Sequence, residues 1–170
     1  CCSLRERKNI SAYAIDLCEI GEAYRNLPYY RIENATNTTF RDSCIKGAAL
    51  HCAFEMCMGE DDVKFINEAA RILKKGGKVI ILPLYMHTHY CAYSTPDYYG
   101  KKYSDSTAKE YIRFDSLSIP SSRKYDAKKL KERILDTIVL NGMHYRLLVL
   151  RKNVDFGKNV YCHFILEIEK

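Results

Sequence analysis

The chain has 170 residues, of which 47% are hydrophobic and 28% are charged, and its net charge is +6. This length and composition predict one globular domain with a single core and exclude a disordered chain. The chain has no apolar run near the roughly 18 residues that a membrane span needs, and its first residues do not resemble a signal peptide, so no membrane partner is expected. A basic charge favours nucleic-acid binding only when it is clustered. Here much of the excess lies in helix-like segments such as KYDAKKLKER, where lysines face solvent, so a nucleic-acid partner is not expected.

The eight cysteines do not form a recognisable zinc or disulfide pattern. None stands in a C-x-x-C pair, and several fall inside apolar, strand-like runs. We interpret them as small buried hydrophobic residues of a cytoplasmic protein, kept reduced in that compartment.

Three apolar runs in the first third of the chain predict strands. ISAYAIDL (10–17) ends in an acid and suits a buried strand, and YYRIEN (29–34) alternates. A helix or loop is expected between them, interrupted by Pro28. IKGAALHCAF (45–54) has the small residues of a packed central strand and its exit loop, although it could also begin a helix.

The segment GEDDVKFINEAARILKKGGKVIILPL predicts a helix followed by a strand. Acids open the helix and lysines close it, which complements the helix dipole, and apolar residues recur at helical spacing. Gly76 is placed to cap the C-terminus of the helix. Residues 78–84 then form a continuous aliphatic run, as in a parallel strand covered on both faces, and this order indicates α/β architecture.

Residues 85–123 break the pattern, because they are rich in Tyr, Ser and His. A stretch of this length inside a compact domain is usually functional or has small elements of its own. After it, Asp126 can cap a helix that runs to Leu140 and stops at Asn141-Gly142. HYRLLVL and VYCHFILEIE then predict an antiparallel hairpin.

These units, with RILKKGG at residues 71–77 before an aliphatic strand, resemble the class I S-adenosylmethionine-dependent methyltransferases. That family typically has R-hydrophobic-L-K-P-G-G at this place, and Lys75 stands where proline is common. The resemblance implies a Rossmann-like, mostly parallel sheet with helices on both faces and a C-terminal antiparallel hairpin. It also implies a single methyltransferase-like domain over residues 1–170, in which residues 85–123 form an insertion, or cap, over the acceptor site.

The resemblance implies a site for S-adenosyl-L-methionine at the ends of three strands. The acid that ends AYAIDL would accept hydrogen bonds from the ribose hydroxyls, since a carboxylate is a pure acceptor. In IENATN, an asparagine replaces the usual acid beside the adenine. Its amide oxygen can still accept from the adenine amino group, and the next backbone N–H would serve a ring nitrogen. The exit ALHCAFEM would line the cofactor, with Glu55 capping or orienting the loop. The implied cofactor residues are Asp16, Leu17, Asn34, Ala35, His51, Cys52 and Phe54.

Each of these assignments has a plainer alternative. Asp16 could merely cap the next helix, Asn34 could be an ordinary turn residue, and His51 could be a core histidine. The sequence contains no G-x-G, so the first strand and glycine-rich loop of the family are expected upstream of residue 1. Without that loop, these residues alone are expected to bind the cofactor poorly.

The start of the 85–123 segment is the candidate acceptor pocket, because ligands of open α/β sheets bind beyond the carboxyl ends of the strands. The predicted acceptor residues are Tyr85, His87, His89, Tyr93 and Arg123, with Arg123 clamping an anionic group unless it is simply solvated. His87, His89 or Tyr85 could serve as general base. His87, His89 and Cys91 would share one face of an extended strand and could hold a metal with His144 or His163, but no metal is expected.

The resemblance therefore implies methyl transfer to an unidentified, small-molecule acceptor by in-line displacement at the sulfonium methyl. One alternative is a catalytically inactive, methyltransferase-like binding module, which cofactor titration would distinguish. Another is a nucleic-acid-directed methyltransferase, suggested by the charge and the fourteen tyrosines. Against this alternative, HCAF stands where amino-group nucleic-acid methyltransferases have an Asn or Asp, Pro-Pro and aromatic signature.

Overall fold

The computed structural model describes residues 2–18, 26–115, 118–151 and 162–170. Contacts within the chain divide it into two compact units, Cys1–Thr39 and Phe40–Lys170. The stretch predicted as helix or loop before Pro28 lies mostly outside the described residues, as does the turn of the C-terminal hairpin. Within the described residues, no helix is long and apolar enough to cross a membrane.

The first unit contains helix α1 (Cys2–Lys8) and two short parallel strands, β1 (Ala14–Asp16) and β2 (Tyr30–Ile32). Asp16 lies opposite Ile32, so the carboxyl ends of both strands lie at the same edge. Both strands are shorter than predicted, and the first is half-buried rather than buried, with Leu17 66% exposed directly after it. Cation–π contacts of Arg31 with Tyr13 help to hold this unit together, at 4.5 Å from the guanidinium carbon to the ring centroid.

The second unit is built on a four-stranded sheet in the order β3-β4-β9-β8. The strands are β3 (Ile45–His51), β4 (Leu73–Leu82), β8 (His144–Val149) and β9 (Phe164–Glu169). β3 and β4 are parallel, whereas β9 runs antiparallel to both of its neighbours. The predicted parallel pair and the antiparallel end of the sheet are therefore confirmed.

Helix α2 (Asp61–Ile72) connects β3 to β4, after a 3₁₀ turn at Phe54–Met56. Its apolar stripe packs on the sheet, and Ile66, Ile81 and Leu166 are each 0% exposed. Burial of apolar surface of this kind is the main stabilising contribution to the fold.

The predicted end of α2 is wrong by a few residues. The helix ends at Ile72 because Leu73 is already extended, at φ −67° and ψ 138°. Gly76 caps no helix. It lies within β4 with φ +72°, and its N–H donates to the carbonyl of Lys170, the residue that follows the paired strand β9. Glycine adopts a left-handed backbone conformation as readily at a helix end as at a kink in a strand. The sequence therefore does not distinguish these two positions.

Residues within the predicted insertion form a separate three-stranded sheet, which we call the cap sheet. Its strands are β5 (Cys91–Ser94), β6 (Lys109–Ile112) and β7 (Ser121–Lys124), in the order β6-β5-β7. Buried hydroxyls tie it together, with Ser104 donating to Ser121 at 2.7 Å.

The helix predicted from Asp126 to Leu140 is present as three joined pieces. They are α3 (Ala127–Leu130), a π turn (Lys131–Leu135) and α4 (Asp136–Leu140). The Asp126 carboxylate accepts from the Lys129 backbone N–H at 2.7 Å, which confirms the predicted cap. Leu130, Ile134 and Ile138 are buried and lie four residues apart. This spacing exceeds the 3.6 residues of an α-helical turn, and the wider π turn accommodates the difference.

Candidate functional site

In the first unit, Asp16 lies at the carboxyl end of β1, where the ribose-binding acid is predicted. Its side chain is half-buried, and its Oδ1 accepts weakly from the Cys18 backbone N–H at 3.4 Å. The Asp16 carbonyl accepts from Glu33 N–H at 3.0 Å, which holds the two strand ends together. This placement fits a carboxylate that receives hydroxyl donors, and the role itself stays a prediction.

Asn34 lies in a tight turn two residues beyond β2. Its Oδ1 accepts from both the backbone N–H and the hydroxyl of Thr36, each at 2.9 Å. The oxygen predicted to receive the adenine amino group is therefore engaged within the chain, as in the alternative of an ordinary turn asparagine. Ala35, predicted to offer its N–H, is half-buried beside it, and Leu17 is exposed.

In the second unit, His51 and Cys52 lie at the carboxyl edge of the parallel strands. His51 is the last residue of β3, and the Cys52 N–H donates to the carbonyl of Leu82, the last residue of β4, at 3.1 Å. Cys52 has φ +50°, which is uncommon for a residue with a side chain and concentrates at functional sites. Both residues fit a place beside a bound ligand.

Phe54 does not line this edge, in contrast to the prediction. It is 2% exposed, its ring stacks on Tyr125 at 6.1 Å between centroids, and it meets Phe65 edge to face at 6.1 Å. An aromatic ring with close partners on two sides contributes to the core.

Glu55 is buried directly after Phe54, and its Oε2 has no hydrogen-bond partner among the described residues. Burial raises the pKa of its carboxyl group, although the charges of His51 and Lys124 act in the opposite direction. The sequence suggests only that Glu55 orients a loop. A buried acid in the 3₁₀ turn after β3, with one carboxylate oxygen that has no partner among the described residues, is a feature that the composition does not reveal.

Beyond the carboxyl end of β4, aromatic side chains converge on one amine, and we call this group the aromatic face. The Lys124 Nζ lies 5.2 Å from the ring centroid of Tyr85 and 4.9 Å from that of Tyr93. The rings of Tyr93 and Tyr111 stack at 5.3 Å, and those of His87 and His89 meet at 4.6 Å. The members of the aromatic face are Tyr85, His87, His89, Tyr93, Tyr111 and Lys124.

The structure thus brings together four of the five predicted acceptor residues and adds two that the sequence analysis missed. Tyr111 is a β6 residue that lies opposite Tyr93 in the register, and no sequence pattern pairs these strands. Lys124 directly follows Arg123 on β7. A cavity of about 280 Å³ adjoins the face, lined by Tyr93, Lys124, Arg113 and Asp115.

Arg123, the fifth predicted acceptor residue, is not part of this face. It is 0% exposed, forms an ion pair with Asp62 of α2, and donates to the Gly59 carbonyl at 2.7 Å. Side chains alternate along a strand, so Lys124 faces the tyrosines while Arg123 faces the core. The predicted role as an anion clamp is wrong because this guanidinium does not reach solvent.

The Asp62 carboxylate is the centre of the charge network that holds Arg123. It also accepts from Arg133 at 2.7 Å and from the Tyr125 hydroxyl at 2.6 Å. Burial alone would raise the pKa of Asp62, but the hydrogen bonds from Arg133 and the charge of Arg123 hold it below its usual value. The network fixes the cap sheet to α2, so it positions the aromatic face.

A family model described as a methyltransferase domain matches residues 4–81. No curated protein matches the chain. An S-adenosylmethionine-dependent methyltransferase from Mesorhizobium loti is similar in structure, with a TM-score of 0.59 and 12% identity, over 99% of this chain and 85% of that one.

Two further solved structures are similar. The 1,6-didemethyltoxoflavin-N1-methyltransferase of Burkholderia thailandensis, solved with 1,6-didemethyltoxoflavin and S-adenosylhomocysteine, has a TM-score of 0.56 and 10% identity, over 96% of this chain and 63% of that one. A putative methyltransferase of Haloferax volcanii, solved in complex with the Trm112 activator, has a TM-score of 0.51 and 16% identity, over 98% of this chain and 75% of that one. At these identities the likeness shows the fold.

Proposed function

We propose that the chain belongs to the class I S-adenosylmethionine-dependent methyltransferases and transfers a methyl group to a small-molecule acceptor bound at the aromatic face. The match of residues 4–81 to a methyltransferase domain and the similar fold support this proposal. The observation that carries this proposal is the convergence of Tyr85, His87, His89 and Tyr93 directly beyond the carboxyl end of β4. Ligands of open α/β sheets bind at that edge. The adjoining cavity of about 280 Å³ is close to the size of small-molecule pockets. The similar toxoflavin methyltransferase was solved with a small molecule, 1,6-didemethyltoxoflavin.

The residues of each unit have separate tasks in this proposal. In the first unit, the Asp16 carboxylate accepts hydrogen bonds from the ribose hydroxyls of the cofactor. In the second unit, His51 and Cys52 lie at the carboxyl edge of the parallel strands, where a bound ligand would contact them. When bound, S-adenosylmethionine supplies an electrophilic methyl group on a sulfonium.

The aromatic face would orient the acceptor and exclude water from it. Flat rings such as Tyr85 and Tyr93 suit a planar acceptor, and the Lys124 ammonium between them would attract an electron-rich or anionic group. Alignment of the acceptor atom in line with the methyl group supplies much of the catalysis in such a reaction. Where the acceptor must lose a proton, His87, His89 or Tyr85 would receive it.

Calorimetric titration of the intact natural protein with S-adenosylmethionine tests the cofactor part of this proposal. We expect binding, and we expect Asp16→Ala to weaken it by about 10- to 100-fold, since a hydrogen bond to a charged group contributes about 1.5–3 kcal/mol. Asp97→Ala, a change of an exposed acid in the second unit, is the matched control and should leave the affinity unchanged. The same affinity in Asp16→Ala as in the wild type would exclude the ribose assignment.

Transfer of a labelled methyl group to a panel of planar small molecules tests the acceptor part. Tyr93→Ala should lower kcat/KM for any acceptor found while leaving cofactor affinity intact, because Tyr93 contacts only the acceptor in this proposal. Cofactor binding with no transfer to any small molecule would instead favour the binding module, and transfer to RNA or DNA would favour the nucleic-acid alternative.

A further inference from the structure

Two histidines and a cysteine of the second unit lie close enough together to share a metal ion. The donor atoms of His87, His89 and Cys91 all lie within 4.8 Å of one another. We propose that these three residues bind a zinc-type divalent metal ion. Metal binding at this site does not require bound S-adenosylmethionine. The alternative is the expectation from the sequence that these residues bind no metal.

The chemistry of the donors selects the class of metal. Imidazole and thiolate together favour zinc and its close relatives over magnesium or calcium, which prefer oxygen ligands. With bonds of about 2.1 Å to nitrogen and about 2.3 Å to sulfur, tetrahedral ligands lie about 3.5 Å apart. The present spacing of up to 4.8 Å is wider than this, so metal binding would draw the half-buried histidine rings toward the cysteine.

The surroundings of the three residues orient them as ligands. The Tyr111 hydroxyl lies 2.8 Å from the Nε2 of His89, which leaves the Nδ1 of that ring as the donor to a metal. The Thr88 hydroxyl lies 3.3 Å from the Nδ1 atoms of both histidines and would rotate away. Cys91 is the first residue of β5 and is fully buried, so its Sγ is held in place by the cap sheet.

A metal ion displaces the proton of a thiol ligand, so the proposed site would hold Cys91 as a thiolate.

Neither His144 nor His163 belongs to this group, so the described part of the chain supplies three ligands. A zinc ion with three protein ligands keeps a fourth position open for water or for an acceptor atom, as in catalytic rather than structural sites. If the metal is bound, the histidine lone pairs that hold it are not available for proton transfer, and Tyr85 is the remaining candidate base in the proposed methyl transfer.

The test is titration of the chelator-treated protein with Zn²⁺ by calorimetry and with Co²⁺ by absorption spectroscopy, without S-adenosylmethionine. We expect one ion per chain and a thiolate-to-cobalt charge-transfer band. Cys91→Ser should abolish the band, His87→Gln and His89→Gln should each reduce binding to background, and Tyr111→Phe should weaken it by about 10-fold or more. Cys44→Ser and His144→Gln, which change a cysteine and a histidine outside the group, should bind as the wild type does.

Circular dichroism of each variant before titration separates loss of metal from loss of fold. Because His87 and His89 are half-buried rather than core residues, their variants remain informative even if Cys91→Ser is unstable. Absence of stoichiometric binding by the folded wild type would overturn the proposal, as would binding that survives all three ligand substitutions. Since no cofactor is present, either result is independent of whether the protein transfers methyl groups.

Discussion

The substitution Asp62→Asn tests the buried charge network that joins α2 to the cap sheet. The Asp62 and Arg123 side chains are both fully buried and form an ion pair, and Arg133 and Tyr125 donate to the same carboxylate. Asparagine keeps the size of the side chain and one acceptor oxygen but removes the charge. Arg123 is then a buried cation without a counter-charge, and its Nε already has no hydrogen-bond partner within the described residues.

Removal of one partner from a buried ion pair typically costs about 3–5 kcal/mol of folding free energy, because the remaining charge stays desolvated. Domains are stable by about 5–15 kcal/mol in total, so this loss is a large fraction of the whole. For a chain of this size, each kcal/mol lowers the thermal midpoint by about 2–4 °C, which predicts a fall of roughly 6–20 °C. Arg133 adds less to the cost, since Glu60 and Asp105 also pair with it, each at 2.9 Å.

Urea unfolding followed by circular dichroism measures this loss, and Asp61→Asn is the matched control. Asp61 is the preceding residue of the same helix turn, but its partner Lys64 is exposed, so its loss should change stability far less. The double variant Asp62→Asn with Arg123→Met removes both charges and should recover much of the stability. A fall no larger than that of Asp61→Asn, or a double variant with the summed cost of its parts, would refute the assignment of a buried ion pair.

Two further predictions concern a glycine of β4 and the buried acid after β3. Gly77→Ala should destabilise the fold by about 1–3 kcal/mol in urea unfolding, because the new Cβ would lie 2.8 Å from the Lys74 carbonyl oxygen. Gly47→Ala is the control and should be tolerated, because its Cβ would lie 3.7 Å from the nearest atom. For Glu55, burial raises the pKa above its usual 4.5, so the folded state binds more protons than the unfolded state, and stability should fall as the pH rises above that value. Glu55→Gln should remove this fall, and a variant with an unchanged pH profile would show that the carboxyl group is solvated.

Periodicity predicted the central helix–strand unit well but placed its boundary incorrectly. The apolar spacing and the acids before it located α2, whose first residue is Asp61. The sequence LKKGG permits both a helix end at Gly76 and a kinked strand, and the choice depends on hydrogen bonds to Lys170, nearly a hundred residues away. Local propensity carries no information about such a partner.

The aromatic face was predictable in part, because its first members follow directly after an aliphatic strand. Tyr111 and Lys124 joined it through the pairing of the cap strands, which the sequence does not encode by any simple pattern. Arg123 was misplaced for the same reason. Its partner Asp62 lies 61 residues earlier and, judged from sequence, was only a favourable charge at a helix N-terminus.

The alternation along β7 has a consequence for how this protein can diverge. Arg123 and Lys124 are both cations, yet one completes the interior and the other completes the aromatic face. A single-residue insertion or deletion within this strand would exchange them, placing an ammonium against Asp62 and a guanidinium among the tyrosines. Substitutions of Lys124 can therefore alter ligand preference freely. The length of β7, however, must stay constant in every descendant that folds.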